Sequence, residues 1–583
     1  MGRSTAIQPA RAGSIRPSSP PVEARPKEGY RDTVEAIVVA LILALVVRGF
    51  EAQAFVIPTG SMAPTLMGRH KEVACPQCGF VFAVNASQEV ESQSQREDVD
   101  AGICSNCRYV ARLDQSPSFQ GDRILVMMFP YDLPSLPGSG PPQRWDVVVF
   151  RYPEEPELSY IKRLIGLPGE TIRIAHGDIY VKPPTGDAFT LARKPLRHQS
   201  AMLQNVYDDR CQPRALADRP EWRRWSSDSG WKPRGGATGL YEVQAPSGDH
   251  WSELRYRHLV PDPEQWDAIL KDQPLPPDRS PRATLVTDFY SYNTSMPPGV
   301  DLVNKPYQVR RVWMQPHWVG DLALEANIEV TRVAPGSAVR FELVKAGLAY
   351  RCTIDLDTGT AVLTRGEAEL DRWQTPIKGS GSHHLEFANV DDRMALVVDG
   401  RAVRSDGVSY ETDDSTRVPT AADLSPAAVS VRGGSAVVVS DLVLKRDIYY
   451  TQQPGSRGDS DYDQAVWEGS SPRTPTELFD FLSSPNRFSA LSNLRSSEKE
   501  IGPDRFFMMG DNSPSSKDSR AWEDRDRDWG ATDRETWEVP RQLLTGKAFY
   551  VYWPHMVPFG PDIQFKGYHL LVRPYFERMK WIR

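Results

Sequence analysis

One unbroken apolar run, AIVVALILALVV from Ala36 to Val47, limits what the rest of the chain can be. It holds twelve uncharged residues between Glu35 and Arg48, whereas a bilayer crossing usually takes ~20. Val34 and Gly49-Phe50 extend it, and Arg48 can snorkel toward the headgroups. Ahead of it, residues 1–31 carry six basic residues against two acidic ones and are dominated by Pro, Ser and Arg, the composition of a disordered tail. We therefore expect a basic cytoplasmic tail over 1–31 and a transmembrane anchor over 32–50. The positive-inside rule then places everything after Phe50 on the outer side. Ala52-Gln53-Ala54 has the small-x-small form of a cleavage site, so a cleaved signal is the alternative, although the basic region is longer than such signals carry.

No second run of this kind follows, so no second span is expected. A chain of 583 residues calls for several domains. Its 49 prolines and 41 glycines favour loops and short strands over long helices. A net charge of −7 offers no general attraction for nucleic acid. Four Gly/Pro-punctuated, β-rich stretches stand out: IPTGSMAPTL (Ile57 to Leu66), GDRILVMMF (Gly121 to Phe129), YIKRLIGLPGETIRI (Tyr160 to Ile174) and FFMMGDNSPSSKDSR (Phe506 to Arg520). With the strand candidates WDVVVFRYP and LTGKAFYVYWP they read as one β-domain interrupted by insertions, its parts at 51–181 and 501–583. The apolar stretch LVMMFPY is read as a core strand, with an interfacial segment as the alternative.

The first insertion, about 71–115, carries Cys75, Cys78, Cys104 and Cys107 as two CxxC pairs with 25 residues between Cys78 and Cys104. Such pairs read as a zinc ribbon, four thiolates closing a structural tetrahedron with no open position; two disulfides are the alternative. The second insertion is large. Residues 182–286 show no clear pattern, 287–450 alternate strongly with turn signals every ten or so residues, and 451–500 read as a linker region. The alternating part predicts an antiparallel β-sandwich. The fold class expected is mainly β.

Ser61, flanked by Gly60 and Met62, is placed fourteen residues past Val47, and a nucleophilic serine needs a base. None of the ten histidines lies in a strand-turn context beside an obvious acid. Lys162, in the alternating strand YIKRLIG, shares a face with Tyr160 and Leu164. A lysine desolvated there loses its proton more readily; a snorkelling surface lysine is the plain alternative.

The four stretches resemble, in order and in wording, the boxes of bacterial type I signal peptidases: PSGSMxPTL, GDxxxV, KRVxGLPGD and GDNRDxSxDSR. The passage HLEFANVDDRMALVVDGR separately resembles laminin-G and concanavalin-like sandwiches. The first resemblance implies a membrane-anchored serine endopeptidase with Ser61 as nucleophile and Lys162 as general base. Thr59 with the Ser61 amide would form the oxyanion hole, Ser516 would orient the lysine, and Asp518 and Arg520 would brace the site. It further implies cleavage of N-terminal signal peptides after small residues at −1 and −3, no catalytic cofactor, and a location on the outer, periplasmic side of the cytoplasmic membrane. Partners implied are the signal peptides, membrane lipid and the protein export machinery, with no nucleic acid and an unassigned sandwich ligand. The sequence departs from the boxes at Ser513-Pro514 and at Glu170. None of the four boxes lies in the sandwich, so the sandwich is expected to be dispensable for bond cleavage. A rival of a different class is an inactive, anchored adhesion or carbohydrate-binding protein. A self-cleaving repressor-type Ser/Lys protease is disfavoured by the apolar run.

Overall fold

The computed structural model describes residues 30–583 apart from 51, 90–97, 115, 129, 132–139, 235–238, 276–278, 300–316, 413–416, 454–460, 463–471, 473–474, 490–495, 523–536, 559–563, 566–567 and 570–571. The basic tail expected over 1–31 thus falls, up to residue 29, outside the described residues. Tyr30–Phe50 form one helix, α1. Among the described residues, no helix is long and apolar enough to cross a membrane. The anchor expected over 32–50 takes helical form, but its uncharged run of twelve residues falls short of a span.

Seven strands build the first sheet: β1 (Ala52–Val56), β2 (Arg123–Met128), β3 (Val147–Arg151), β4 (Ser159–Gly166), β5 (Arg505–Met509), β6 (Val539–Pro540) and β7 (Leu544–Trp553). They lie in the order β1-β2-β7-β3-β4-β5-β6. The two halves of the sequence are therefore interleaved: β7 lies between β2 and β3, and β5 beside β4. Alternation explains the packing. Ile124, Val126 and Met128 of β2 face the core with Ile57, Met62 and Leu66, so this stretch is a core strand. Four shorter strands form a second sheet in which Ser497–Glu500, at the end of the large insertion, pairs with Thr171–Ala175 from before it. The two ends of the insertion are thereby brought together, and the tract expected as a linker over 451–500 supplies that strand and the helix Pro475–Leu482.

The insertion holds two further antiparallel sheets, of nine and seven strands, around one hydrophobic core that includes Leu324, Ile328, Phe341, Phe387, Leu396 and Val429. The expected sandwich, 287–450, is wider in the structure. Gln204–Asp208, Leu240–Gln244 and Ser252–Tyr256, from the tract that showed no pattern, pair with Ala436–Arg446 and Ala427–Arg432. Short strands alternate over too few residues to be read from sequence. Two hairpins carry the cysteine pairs: His70–Ala74 pairs with Val81–Asn85, and Ala101–Ile103 pairs with Val110–Arg112.

Candidate active site

Ser61 sits in a one-turn 3-10 segment, Gly60–Met62, and is buried. The turn is wedged under the insertion: a Cβ built on Gly60 would stand 2.1 Å from Cε1 of Tyr292, so only glycine fits. Lys162 lies on β4, opposite Val148 of β3, and is buried. Its Nζ is 2.7 Å from Ser61 Oγ and donates to the Ile161 carbonyl at 3.0 Å. Burial lowers the Lys162 ammonium from the usual 10.5 to about 8; Asp518 and Asp511 push it back up, and Arg520 down. At pH 7 that raises the neutral fraction from about one in three thousand to about one in ten.

The carboxylates near the lysine are engaged by arginines. Asp511 takes a bidentate pair from Arg163 at 2.6 Å on each oxygen, fully buried. Asp518 takes Arg520 Nε at 2.9 Å and Nη2 at 2.7 Å, and accepts the Gly510 amide at 3.0 Å. Gly510 in turn lies against the site: a Cβ there would stand 2.3 Å from the Ser61 carbonyl oxygen and 2.2 Å from Ser516 Oγ. These pairs hold two acids close to the lysine without an oxygen taking its proton, which leaves the amine able to serve as a base.

Of the residues expected at the site, Ser61 and Lys162 are brought into contact, and Asp518 and Arg520 pair beside them. Thr59 immediately precedes the turn in extended conformation. Ser516 is buried 1% exposed, yet its Oγ has no hydrogen-bond partner among the described residues, so the expected bond to the lysine is replaced by one to the Ile161 carbonyl.

Several residues were missed. Asn512 donates its amide to the Ser61 carbonyl at 3.0 Å and its Nδ2 to the Gly60 carbonyl at 3.1 Å, and Asn293 of the insertion pairs with it at 2.7 Å. Thr451, also from beyond the sandwich strands, donates its amide to Ser513 Oγ at 2.9 Å, and Arg520 Nη1 reaches both residues. The sandwich over 287–450 was expected to be dispensable for cleavage; Tyr292 and Asn293, within that range, pack against Gly60 and pair with Asn512. Side chains that meet from distant parts of the chain leave no periodic signal.

A family model for signal peptidase, peptidase S26, matches residues 105–214 and 430–553. A protein named signal peptidase I from Pseudomonas aeruginosa is 35% identical over 139 residues, 23% of this chain and 31% of its own length. One from Pseudomonas fluorescens is 26% identical over 285 residues, 47% of this chain and 70% of its own length. In these segments the chain is similar to type I signal peptidases. It spans about a third of the length of the first of these relatives. Among solved structures, a Bacillus subtilis protein of unknown function with a galectin-like fold is similar at 6% identity and a TM-score of 0.24, covering 42% of this chain and 99% of that one.

The matched segments carry Lys162, Ser516, Asp518 and Arg520, and Ser61 lies outside them. At the departures, Glu170 caps its turn by accepting the Leu167 amide at 2.8 Å and Arg144 at 2.7 Å, and Ser513 joins Arg520 to Thr451. Away from the site, Cys75, Cys78, Cys104 and Cys107 are free thiols whose sulfurs lie within 4.8 Å of one another. Cys75 and Cys107 are 3.6 Å apart, and Cys78 and Cys104 3.7 Å. A tetrahedron with Zn–S bonds of ~2.3 Å has edges of roughly 3.8 Å, so this donor set fits a structural zinc.

Proposed function

We propose that this chain is a membrane-associated serine endopeptidase that removes N-terminal signal peptides from exported pre-proteins after small residues at −1 and −3. The observation that carries the reading is the buried 2.7 Å contact between Lys162 Nζ and Ser61 Oγ. Neutral Lys162 takes the Ser61 proton as Oγ attacks the scissile carbonyl carbon. The Thr59 hydroxyl and the Ser61 amide receive the charge that develops on the carbonyl oxygen. The lysine ammonium then protonates the leaving amine, and an acyl-ester remains on Ser61. Water, deprotonated by the same amine, hydrolyses that ester and restores the serine.

Asp518 and Arg520 brace the loop, and Ser516 completes the lysine's polar surroundings as substrate enters. The helix Tyr30–Phe50 attaches the protein to the cytoplasmic membrane, with the peptidase part outside and the export machinery nearby; its apolar run and the basic stretch before it support this. Zn²⁺ on the four cysteines fixes the ribbon and takes no part in the chemistry.

Purified protein incubated with a pre-protein whose leader ends in Ala-x-Ala should cut it after the final Ala, and Ser61→Ala should not. A substrate left whole by the wild type would favour the adhesion or sugar-binding alternative.

A further inference from the structure

The cysteine hairpin holds a second group of ligating side chains. His70 and Glu72 lie two residues apart on the strand His70–Ala74, hence on one face, and His555 meets them from the end of β7. One ligand atom from each of the three lies within 4.8 Å of the others. His555 Nε2 stands 3.6 Å from Glu72 Oε2. Both imidazoles are buried.

Three features distinguish this group from a chance meeting of polar residues. His70 Nδ1 donates to the Gly68 carbonyl at 2.7 Å, because a carbonyl can only accept, and that fixes the lone pair of the neutral ring on Nε2. Nε2 of His70 and both ring nitrogens of His555 are buried without a hydrogen-bond partner among the described residues. A ring locked by one nitrogen and bare at the other is the arrangement that second-shell hydrogen bonds impose on metal-ligating histidines. The rings of Phe119 and Tyr575 flank His555 at 4.7 and 5.3 Å between centroids.

We propose that His70, Glu72 and His555 bind a divalent transition-metal ion of the zinc class, separate from any ion on the four cysteines. Two imidazoles and one carboxylate suit Zn²⁺, and the 3.6 Å edge between His555 and Glu72 suits bonds of ~2.1 Å in a tetrahedron with one position left for water. The ion ties the cysteine hairpin to the end of β7. It also anchors the backbone beside the nucleophile turn, since Arg69 donates its amide to the Pro58 carbonyl at 3.1 Å.

The test is X-ray absorption at the zinc edge together with elemental analysis on the full chain equilibrated with micromolar Zn²⁺. One zinc per chain with a nitrogen/oxygen shell is expected, counted apart from any zinc with an all-sulfur shell, so the ribbon proposal can fail without affecting this one. His555→Gln and Glu72→Gln should each remove the nitrogen/oxygen zinc and leave the sulfur-bound zinc unchanged, which also reports that the hairpin still folds. A wild type with only sulfur-bound zinc, or with no zinc, overturns the proposal. So does a nitrogen/oxygen zinc that survives both substitutions.

Discussion

Asn293 and Asn512 exchange their side-chain amides, each Nδ2 donating to the other's Oδ1 at 2.7 Å. One residue belongs to the inserted region and the other to the loop whose backbone holds the Ser61 carbonyl. The pair fixes the Asn512 side chain in the orientation that also reaches the Gly60 carbonyl. The insertion thus helps position the serine across 219 residues of sequence.

Asn293→Ala should therefore lower kcat with little change in KM. It leaves one amide unpaired, a loss of about 1–3 kcal/mol, and about 1.4 kcal/mol of it appearing in the barrier would be a tenfold slower rate. Steady-state cleavage of a short leader peptide measures this. Replacing 287–450 with a linker should abolish cleavage, because it removes Tyr292 and Asn293 together; full activity in that variant would show that the contact is incidental.

In the proposed reaction Lys162 sets the pH dependence. Its conjugate acid has a folded value of about 8 against 10.5 unfolded. Activity needs the neutral amine, so kcat should rise with pH and level off above about 8. Lys162→Arg should be slower by roughly a thousandfold or more, since guanidinium keeps its proton. Histidine-directed reagents should leave the profile in place.

The same shift predicts a stability effect. The folded value lies below the unfolded one, so the buried ammonium destabilises the fold fully below pH 8, and the penalty fades as pH rises from 8 to 10.5. Lys162→Met should accordingly raise stability at pH 7 by on the order of 1–3 kcal/mol. The gain should shrink toward pH 10 in paired thermal melts; a gain independent of pH would mean the lysine is neutral throughout.

Much of the site was legible in sequence because its chemistry is local. A serine on a Gly-bearing turn, a lysine on the apolar face of a strand and the DSR triplet each occupy a few adjacent residues. The alternation around Lys162 placed it beside Leu164, and both are buried. Asn293, Thr451 and the His70–Glu72–His555 group were not legible: each works only through partners far away in the chain, and a lone Asn or His looks like any other. The sandwich was read too short for a related reason. Its outer strands, such as Trp225–Ser226 and Lys232–Pro233, are two residues long and exist only as partners of longer ones.

The four cysteines give a separate prediction. Cys104→Ser should release the sulfur-bound zinc and loosen the two hairpins locally, because a structural metal supplies folding energy to the short elements it joins. Metal analysis with limited proteolysis should show cuts between 71 and 115 that the wild type resists. Retained metal in this variant would point to different ligands.

The sharpest steric prediction concerns Gly60. An added methyl would stand 2.1 Å from Cε1 and 2.7 Å from the hydroxyl oxygen of Tyr292, a buried ring that cannot swing outward. Gly60→Ala must then move either the ring or the turn that carries Ser61. We expect a loss of stability of about 1–3 kcal/mol and a larger loss of activity, since Ser61 would shift relative to a lysine held in a strand. Tyr292→Ala alone opens a cavity and should cost about 3–5 kcal/mol. The double variant Gly60→Ala/Tyr292→Ala removes the clash, so it should be less impaired in kcat than the two single effects combined. Strict additivity in a double-mutant cycle would show that the ring does not set the position of the nucleophile turn.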